Sequence, residues 1–311
     1  MAVNKNGIVV MGAVFVDIKG FPDDVYIPDG RNAGKVEYIH GGVSRNVVED
    51  IANMELRPTF LSIVDESALG DAVVRKLNNH KVNTEYIQSA PNGMGTWLAV
   101  FDNNGDLAGS ISQRPDLMPL LGVLEKKGDE IFANADSIII EVDVDKEIVK
   151  KVVELCEKHQ KKLYGVVSNM SIAVERRDFL QKFDCFICNQ LEAGMFFADD
   201  FSETAPNELA EILAKKLQLA KIPSMVVTMG GAGSVYADMK GKKGFCPAKK
   251  VQVKDTTGAG DAFCAGVSSG LTYGKTLAES VEIGTRLAAS VITSSENVCP
   301  RFLPGELGIE A

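Results

Sequence analysis

The stretch DTTGAGDAF, residues 255–263, combines residue types that could bind an anion and move a proton. Gly258 and Gly260 allow a tight turn with consecutive exposed backbone N–H groups, and the helix predicted to follow adds the positive end of its dipole. Asp261 could then deprotonate a hydroxyl bound beside those N–H groups. Phosphoryl transfer requires this arrangement. From spacing alone, a glycine turn before a helix with an acid in its first turn is an equally good interpretation.

Other common sources of such chemistry are absent from the sequence. There is no GxxxxGK[ST] phosphate loop and no GxSxG nucleophile motif, and GAVFVD after the first predicted strand differs from the GxGxxG dinucleotide fingerprint. The three histidines, His40, His80 and His159, lack metal-ligand spacing. We therefore expect carboxylates, amides and glycine backbone to carry the chemistry.

The elements that must position these residues alternate between apolar strand patterns and amphipathic helix patterns, from GIVVMGA to helices predicted over 260–271 and 277–293. This alternation indicates an α/β fold with a mostly parallel central sheet and helices on both faces. Segments 14–39 and 95–113 instead resemble strand pairs without partner helices, and one has a turn at Asn104-Gly105. We expect these segments to form a small separate sheet, suited to act as a lid, within one domain over residues 1–311.

Composition and charge exclude several classes of function. The 311 residues are 45% hydrophobic and 24% charged, as in an ordinary globular protein. A net charge of −9 and a pI of about 5.0 argue against binding to nucleic acid or to anionic membranes. No secretion signal or membrane-spanning run is visible, and the six scattered cysteines are typical of reduced thiols in the cytoplasm. Cys185 and Cys188 in DCFIC are expected in the core, because strand residues three apart point to opposite faces.

Two distant stretches resemble the signatures of one family. DTTGAGDAFCAG is similar to the C-terminal signature of the ribokinase-like (PfkB) carbohydrate and nucleoside kinases, and HGGVSRNVVEDIANM is similar to their N-terminal signature. Further matches occur in the family's order at GAVFVDIKG, GTWLAVFDNNGDLAGSIS, CNQLEAG and VVTMGGAGS, so the resemblance covers nearly the whole chain. It implies a ribokinase-like fold and transfer of a phosphoryl group from ATP to an alcohol.

The resemblance also implies a role for each matching residue. Asp261 would be the catalytic base, and the transferring phosphoryl group would be held by the backbone N–H groups of Gly258, Ala259 and Gly260. Asp17 and Asn46 would bind hydroxyl groups of the acceptor. Gly41 and Gly42 would allow the lid hinge and a close approach of the acceptor. The ATP phosphates and Mg²⁺, the latter through water, would be organised by Asn189 and Glu192. The nucleotide would contact Thr228, Gly230, Gly231, Gly233 and, at the adenine, Asn297. A monovalent cation such as K⁺ would match Asp255 and Thr257.

The residues alone leave a purely structural interpretation open at several of these positions. Asp17 could be a turn residue after a strand, and Asn46 a polar residue in the first turn of a helix. Asn189 could cap a helix that starts at Gln190, with Glu192 in its first turn. GGAGS could be a plain hairpin turn. The joint presence of all these elements in the family's order is what favours the functional interpretation.

Local details favour one subgroup of the family. GGVSRN, DGRNAGKV and TWLAVFDNNGDL are similar to segments of pseudouridine kinases, which predicts phosphorylation of pseudouridine to pseudouridine 5′-phosphate. The chain departs from that pattern at Cys188, at Asp143 and at residues 112–117, where the predicted base-recognition region lies. The alternatives are a ribokinase- or fructokinase-like sugar kinase, another nucleoside kinase, and a noncatalytic protein that senses nucleotides or sugars. The exposed edges of the lid predict a homodimer formed through it.

Overall fold

Two sheets contain the strands of the computed structural model, which describes residues 7–310; residues 1–6 and 311 of the predicted domain lie outside this range. The described strands are, in chain order, β1 (Ile8–Met11), β2 (Phe15–Pro22), β3 (Gly34–Gly41), β4 (Thr59–Val64), β5 (Ile87–Ser89), β6 (Gly95–Phe101), β7 (Leu107–Gln113), β8 (Ser137–Glu141), β9 (Lys162–Val166), β10 (Cys185–Asn189), β11 (Ser224–Thr228), β12 (Gly233–Asp238) and β13 (Lys243–Pro247).

The described helices follow the alternation that the sequence predicts. They are α1 (Val43–Asn53), α2 (Ala68–Asn79), α3 (Pro119–Ala133), α4 (Lys146–His159), α5 (Met170–Ala173), α6 (Arg177–Leu180), α7 (Gln190–Phe197), α8 (Pro206–Ala220), α9 (Ala259–Thr272) and α10 (Leu277–Val291). Short 3₁₀ turns lie at Val174–Arg176, Gly230–Ala232 and Pro304–Leu307. The last two helices begin and end within two residues of the predicted positions.

The larger sheet has nine of the described strands in the order β13-β12-β11-β10-β9-β8-β1-β4-β5. All neighbours from β11 to β5 run parallel, whereas β12 and β13 add an antiparallel edge. The prediction of a mostly parallel central sheet is therefore confirmed.

Helices cover both faces of this sheet because its parallel strands are apolar on both sides. Along β8, Ile138 and Ile140 join the core cluster that contains residues of α3, α4 and α8, whereas Ile139 joins the cluster of α1, α2, α9 and α10. Cys188 and Cys185 also belong to opposite clusters, as their spacing predicts. No helix of residues 7–310 is long and apolar enough to span a bilayer.

The direction in which strands are added reverses at β1, which lies between β4 and β8. The chain passes from β1 through the small sheet and α1 to β4 on one side, and it returns later through α3 to β8 on the other. Ligands of open α/β sheets bind outside the carboxyl ends of the strands at such a switch point. A site is therefore expected beyond β1 and β8.

The small sheet has four of the described strands, in the order β3-β2-β6-β7, and it comes from the two predicted segments. Its hairpin between β6 and β7 turns where predicted, with a φ of 85° at Gly105. Cross-strand rows of the sheet face its two sides alternately. The row facing the central sheet contains Asp17, Trp97 and Ser112. The next row, on the outer side, contains Ile18, Tyr38, Leu98 and Ile111.

Candidate active site

The turn before α9 is sharp, and only glycine fits at its apex. Gly258 has a φ of 79°, and a Cβ at this position would lie 1.9 Å from the backbone oxygen of Asn297. By contrast, a Cβ at Gly260 would meet no atom within 4 Å. The first turn of α9 therefore faces open space, as a binding site for an anion requires.

The backbone N–H groups of this turn are used unequally. Ala259 donates to the carbonyl oxygen of Thr256 at 3.2 Å, so one of the three predicted amides is engaged within the turn. The first intrahelical bond runs from Ala262 to Gly258 at 2.9 Å. The N–H groups of Gly260 and Asp261 lie before it, in the first turn, where a helix provides no acceptor of its own. Together with the helix dipole, they make this end of α9 suited to bind an anion, as the sequence predicts.

Asp261 is held by a side chain that is distant in the sequence. Nδ2 of Asn46 donates to Oδ2 of Asp261 at 2.6 Å, which joins α1 to the first turn of α9. Removal from water raises the pKa of Asp261 to about 7, and the negative charge of Glu192 also raises it. The hydrogen bond from Asn46 and the positive charge of Arg45 act in the opposite direction. A carboxyl group with this pKa can accept and release a proton near neutral pH.

Two consecutive glycines, Gly41 and Gly42, precede α1 and allow a close approach to Asp17. The φ of Gly42 is 98°, and a Cβ at Gly41 would lie 2.9 Å from a carboxylate oxygen of Asp17. Arg45 is fully buried, donates through Nε to the carbonyl oxygen of Gly41 at 3.3 Å, and pairs with Glu49 at 2.5 Å. The glycine pair is therefore fixed by a buried cation one turn into the helix.

A cleft of about 500 Å³ lies between the small sheet and the carboxyl edge of the central sheet. The predicted residues that line it are Asp17, Gly41, Gly42, Asn46, Thr257, Asp261 and Asn297. Burial raises the pKa of Asp17, while the charges of Lys19 and Arg45 lower it. The cleft is thus at the topological switch point, and it contains the predicted base together with the predicted acceptor-binding residues.

The other end of this cleft is lined by charged and polar groups from the carboxyl ends of β7, β8 and β9. Nη2 of Arg114 donates to the backbone oxygen of Asp143 at 3.0 Å and to its Oδ2 at 3.3 Å. The other carboxylate oxygen of Asp143 accepts the backbone N–H of Ser168 at 2.9 Å. Arg176 donates to the carbonyl oxygen of Val144 at 2.9 Å. This far end can recognise a polar group.

A buried carboxyl group, Glu141, lies between the two ends. Its Oε2 accepts the backbone N–H of Ala13 at 2.5 Å, and its Oε1 is buried without a hydrogen-bond partner among the described residues. Burial and the negative charge of Asp143 raise the pKa of Glu141 to about 8. Glu141 is therefore mostly protonated at neutral pH and presents a polar atom to the cleft.

The residues predicted to contact the nucleotide lie mostly elsewhere, along β10, α7 and β11. Oδ1 of Asn189 accepts the N–H of Glu192 at 2.9 Å, and Oε2 of Glu192 accepts the N–H of Asn189 at 2.8 Å. The structural interpretation of this pair is therefore present, as a capping box of α7. Asn189, Thr228 and Gly230 together line a second pocket of about 930 Å³. Burial raises the pKa of Glu192.

The remaining predicted residues take varied positions. Gly231 lies in the 3₁₀ turn between the antiparallel strands β11 and β12, and Gly233, with a φ of 119°, starts β12. GGAGS is thus a hairpin connection, as its structural interpretation states, although Gly230 also lines the second pocket. Asn297 lies in the cleft with Asp261 and donates to the carbonyl oxygen of His40 at 3.0 Å.

The predicted cation residues are neighbours in the loop before α9. Oδ1 of Asp255 accepts the backbone N–H of Thr257 at 2.8 Å, and this bond lowers the pKa of Asp255. Both residues line a pocket of about 350 Å³ that also contacts Asp17 and Asn297. An ionised carboxylate here is a suitable ligand for a cation.

Comparison with known proteins identifies the family. A model of the PfkB family of carbohydrate kinases matches residues 5–299. The chain belongs to this family. The kinase is 35% identical over 294 residues to guanosine-inosine kinase from Exiguobacterium acetylicum, which covers 94% of this chain and 96% of that protein. It is 24% identical over 278 residues to pseudouridine kinase from Escherichia coli K12, and the match covers 89% of this chain and 87% of that protein.

The fold of the kinase is confirmed by a solved structure. Ribokinase from Arabidopsis thaliana, complexed with ribose and ATP, matches with a TM-score of 0.84 at 19% identity, over 97% of this chain and 98% of that one. The α/β, ribokinase-like architecture with a small extra sheet is therefore established. Family membership makes the chain a phosphotransferase of the sugar and nucleoside kinase type.

Sequence reasoning missed one polar residue of the kinase's cleft and undervalued two others. Glu141 received no role, whereas Asp143 and the segment 112–117, which contains Arg114, appeared only as departures from a subgroup pattern. The available signal was position, because Glu141 and Asp143 come at and just after the end of the buried strand β8. Arg114 directly follows β7 of the small sheet. Charged residues at these strand ends are candidates for ligand contact.

Proposed function

We propose that this chain is an ATP-dependent nucleoside kinase that phosphorylates the 5′-hydroxyl of its acceptor. The observation that carries the proposal is the position of Asp261, directly behind the amide turn of α9 and in the same cleft as Asp17. Its pKa of about 7 suits a general base near neutral pH. An Asp that only capped a helix would gain nothing from burial, whereas a base gains a useful pKa from it.

The proposed mechanism follows from the groups in the cleft. The acceptor lies between the small sheet and the core, with its hydroxyls bound by Asp17 and Asn46, whose buried Oδ1 has no partner among the described residues. The buried Oε1 of Glu141 offers a further contact. Asp261 takes the proton from the primary hydroxyl as that oxygen attacks the γ-phosphorus of ATP in line, and the bond from the γ-phosphorus to the bridging oxygen breaks so that ADP leaves. The N–H groups at the start of α9 hold the charge that develops on the phosphoryl oxygens.

Guanosine and inosine are the acceptors we favour. The relative with 35% identity over almost the whole chain is a guanosine-inosine kinase, which supports a purine nucleoside. Pseudouridine is the second candidate, supported by the similarity of GGVSRN to that subgroup and by the relative with 24% identity. A sugar kinase would require only the catalytic end of the cleft and would leave its far polar end without a use.

ATP, Mg²⁺ and a monovalent cation are the proposed cofactors. We assign the nucleotide to the side of Asn189, Thr228 and Gly230, because these residues border a roomy second pocket beyond β10 and β11. Glu192 would hold Mg²⁺ through water. Its carboxyl group suits this position because it lies within electrostatic range of Asp261, next to which the phosphates would bind. When bound, Mg²⁺ would neutralise charge on the phosphates. Asp255 fits K⁺ because its carboxylate is ionised at neutral pH.

The small sheet is the proposed lid and dimer surface. Tyr38, Leu98 and Ile111 are 60%, 41% and 71% exposed and form one cross-strand row with Ile18. Apolar side chains grouped in this way on an outer face mark an interaction surface, and a second copy would cover them. We propose one kinase domain over residues 1–311 that forms a homodimer through the lid in the cytoplasm. Closure of the lid would exclude water as a competing phosphoryl acceptor.

A panel of acceptors with Mg²⁺ and ATP tests the proposal. The panel contains guanosine, inosine, pseudouridine, uridine, adenosine, ribose and fructose, and ADP release is measured for each. The proposal predicts the highest kcat/KM with guanosine or inosine. Efficient phosphorylation of ribose or fructose with no turnover of any nucleoside would overturn it. ATP binding without turnover of any acceptor would favour a sensing protein.

A further inference from the structure

The cleft has two chemically different ends. One end carries Asp261, Asp17 and Asn46, which suit hydroxyl groups and a reacting oxygen. The other end carries Arg114 and Asp143, and both are supplied by loops that start at strand ends. Apolar side chains such as Trp97, Val144 and Ile172 line the space as well. A molecule that fills the cleft therefore has a hydroxylated part, an apolar body and a polar edge.

Asp143 is a buried acceptor rather than a solvated surface charge. It is 4% exposed, and the backbone N–H of Ser168 at 2.9 Å fixes one of its carboxylate oxygens. A carboxylate can accept about four hydrogen bonds, so the contacts from Ser168 and Arg114 leave capacity for a ligand donor. Burying a carboxylate costs desolvation free energy unless the charge is paired or hydrogen-bonded to protein or ligand.

Arg114 supplies donors beside this acceptor. Its side chain is 48% exposed, and both of its contacts to Asp143 come from Nη2. A guanidinium group has five N–H donors in a planar fork, so Nε and Nη1 provide further donors beside the Asp143 carboxylate. The pair thus presents an anionic acceptor next to a cationic donor at the end of an apolar space.

This pattern is complementary to one class of nucleobase edge. Hypoxanthine and guanine have a ring N–H at N1 next to the carbonyl oxygen O6, and the ring of pseudouridine also has N–H groups beside carbonyl oxygens. Adenine has the reverse pattern, with an acceptor at N1 and an amino donor at C6. Carboxylates accept from such N–H donors, and arginine donates to O6.

We propose that Arg114 and Asp143 form the base-recognition pair of the site, and that they select nucleosides whose base has a ring N–H beside a carbonyl group. Asp143 accepts the ring N–H, and Arg114 donates to the neighbouring carbonyl oxygen. This inference rests on the proposed nucleoside kinase function and adds the residues that choose the base. Because the pair would contact the base and not the reacting hydroxyl, its contribution is to binding, so its loss raises KM more than it lowers kcat.

The same pair could instead serve only to join the small sheet to the core, because Arg114 follows β7 and Asp143 follows β8. The two roles predict different results. A purely structural contact affects every acceptor equally, including ribose, which has no base. A recognition pair affects only acceptors that have the matching edge.

The test begins with the unaltered chain and a substrate in which one atom is changed. Inosine and 1-methylinosine differ by the methyl group that replaces the N1 hydrogen. We expect kcat/KM to be roughly 10- to 100-fold lower for 1-methylinosine, the range of one hydrogen bond to a charged group. Equal kcat/KM for the two substrates would overturn the inference. This comparison does not depend on the folding of a variant.

The second part uses Asp143→Asn and Arg114→Ala with inosine, adenosine and 1-methylinosine. We expect Asp143→Asn to lower kcat/KM for inosine by roughly 10- to 100-fold, to change adenosine by less than about threefold, and to remove most of the preference for inosine over 1-methylinosine. Arg114→Ala is expected to lower kcat/KM for inosine by a similar factor, mainly by raising KM. An equal loss for all acceptors would assign the pair a structural role and overturn the inference.

Asp184→Asn is the matched control. Asp184 also accepts a backbone N–H, from Leu163 at 3.0 Å, and it pairs with the exposed Lys162, but it precedes β10 at the opposite edge of the sheet. The Asp184→Asn variant should have the same ratio of kcat/KM for inosine to kcat/KM for adenosine as the unaltered chain. If no nucleoside is phosphorylated but a sugar is, the proposed function fails together with the inference. If inosine is phosphorylated without the predicted selectivity, only the inference fails.

Discussion

The hydrogen bond from Asn46 to Asp261 makes the pH dependence of the reaction predictable. The proposed base, Asp261, would be active as the carboxylate, so activity should rise with pH through its pKa, which is about 7. Asn46 donates to this carboxylate at 2.6 Å and stabilises its charged form. Asn46→Ala therefore raises the pKa and moves the acidic limb of the profile to higher pH.

The size of the shift follows from the strength of that bond. A hydrogen bond to a charged group contributes about 1.5–3 kcal/mol. At 1.36 kcal/mol for each pKa unit, its loss corresponds to a shift of about one to two units. The positive charge of Arg45 remains in the variant and continues to favour the carboxylate. We expect the limb to move from about pH 7 to between about pH 8 and pH 9.

The assay is kcat/KM for the best acceptor between pH 5.5 and 10, at saturating ATP and Mg²⁺. Weaker acceptor binding in Asn46→Ala scales the whole profile without moving its midpoint, so the two effects are separable. Asn53→Ala is the control, because Asn53 lies on the same helix and donates to the backbone oxygen of Cys299 at 2.7 Å, away from Asp261. The reasoning is refuted if the limb of Asn46→Ala stays in place, or if Asn53→Ala moves it equally.

Three further predictions concern stability and assembly. Asp261→Asn should raise the free energy of unfolding by about 4 kcal/mol at pH 8.5 and by less than about 1 kcal/mol at pH 4, measured in urea melts. A carboxyl group whose folded pKa is raised from 3.8 to about 7 loses stability as pH rises between these two values; an equal effect at both pH values would contradict this sign. Gly258→Ala should cost about 2 kcal/mol or more, since its φ is 79° and the new Cβ would lie 1.9 Å from the Asn297 oxygen, whereas Gly241→Ala, in open space with a φ of 90°, should cost less. Ile111→Asp should convert the proposed dimer to a monomer in light scattering because Ile111 is 71% exposed in the apolar outer row, whereas Lys127→Asp on α3 should not; a chain that is monomeric without any substitution would refute the lid dimer.

The features that could be predicted from sequence are local ones. The apolar strands around Ile8–Met11 and Ser137–Glu141 are predictable because parallel strands buried on both faces are continuously apolar. The turn at Gly258 is predictable because a tight turn before a helix needs glycine. The position of Asp261 in the first turn of the following helix is also predictable from spacing, whereas its function is not.

The features that could not be predicted depend on tertiary packing. The helical pattern of α3 is weak in the sequence because Gly122 and Gly128 interrupt it, yet a Cβ at Gly128 would lie 2.6 Å from Leu155, so glycine permits close packing against α4. The bond between Asn46 and Asp261 joins residues that are 215 positions apart, and no local pattern contains that distance. The pairing of Arg114 with Asp143 likewise depends on how the small sheet meets the core.

If Asp261 is the base of the phosphoryl transfer, Asp261→Asn must slow the reaction without weakening acceptor binding. Asparagine keeps the shape and can still accept the hydrogen bond from Asn46, but it cannot take a proton. The measurement is single-turnover kinetics together with the acceptor Kd from calorimetry at pH 7.5. The account predicts a Kd within about threefold of the unaltered chain and a rate about 10²- to 10⁴-fold lower. An unchanged rate with an unchanged Kd would contradict the account.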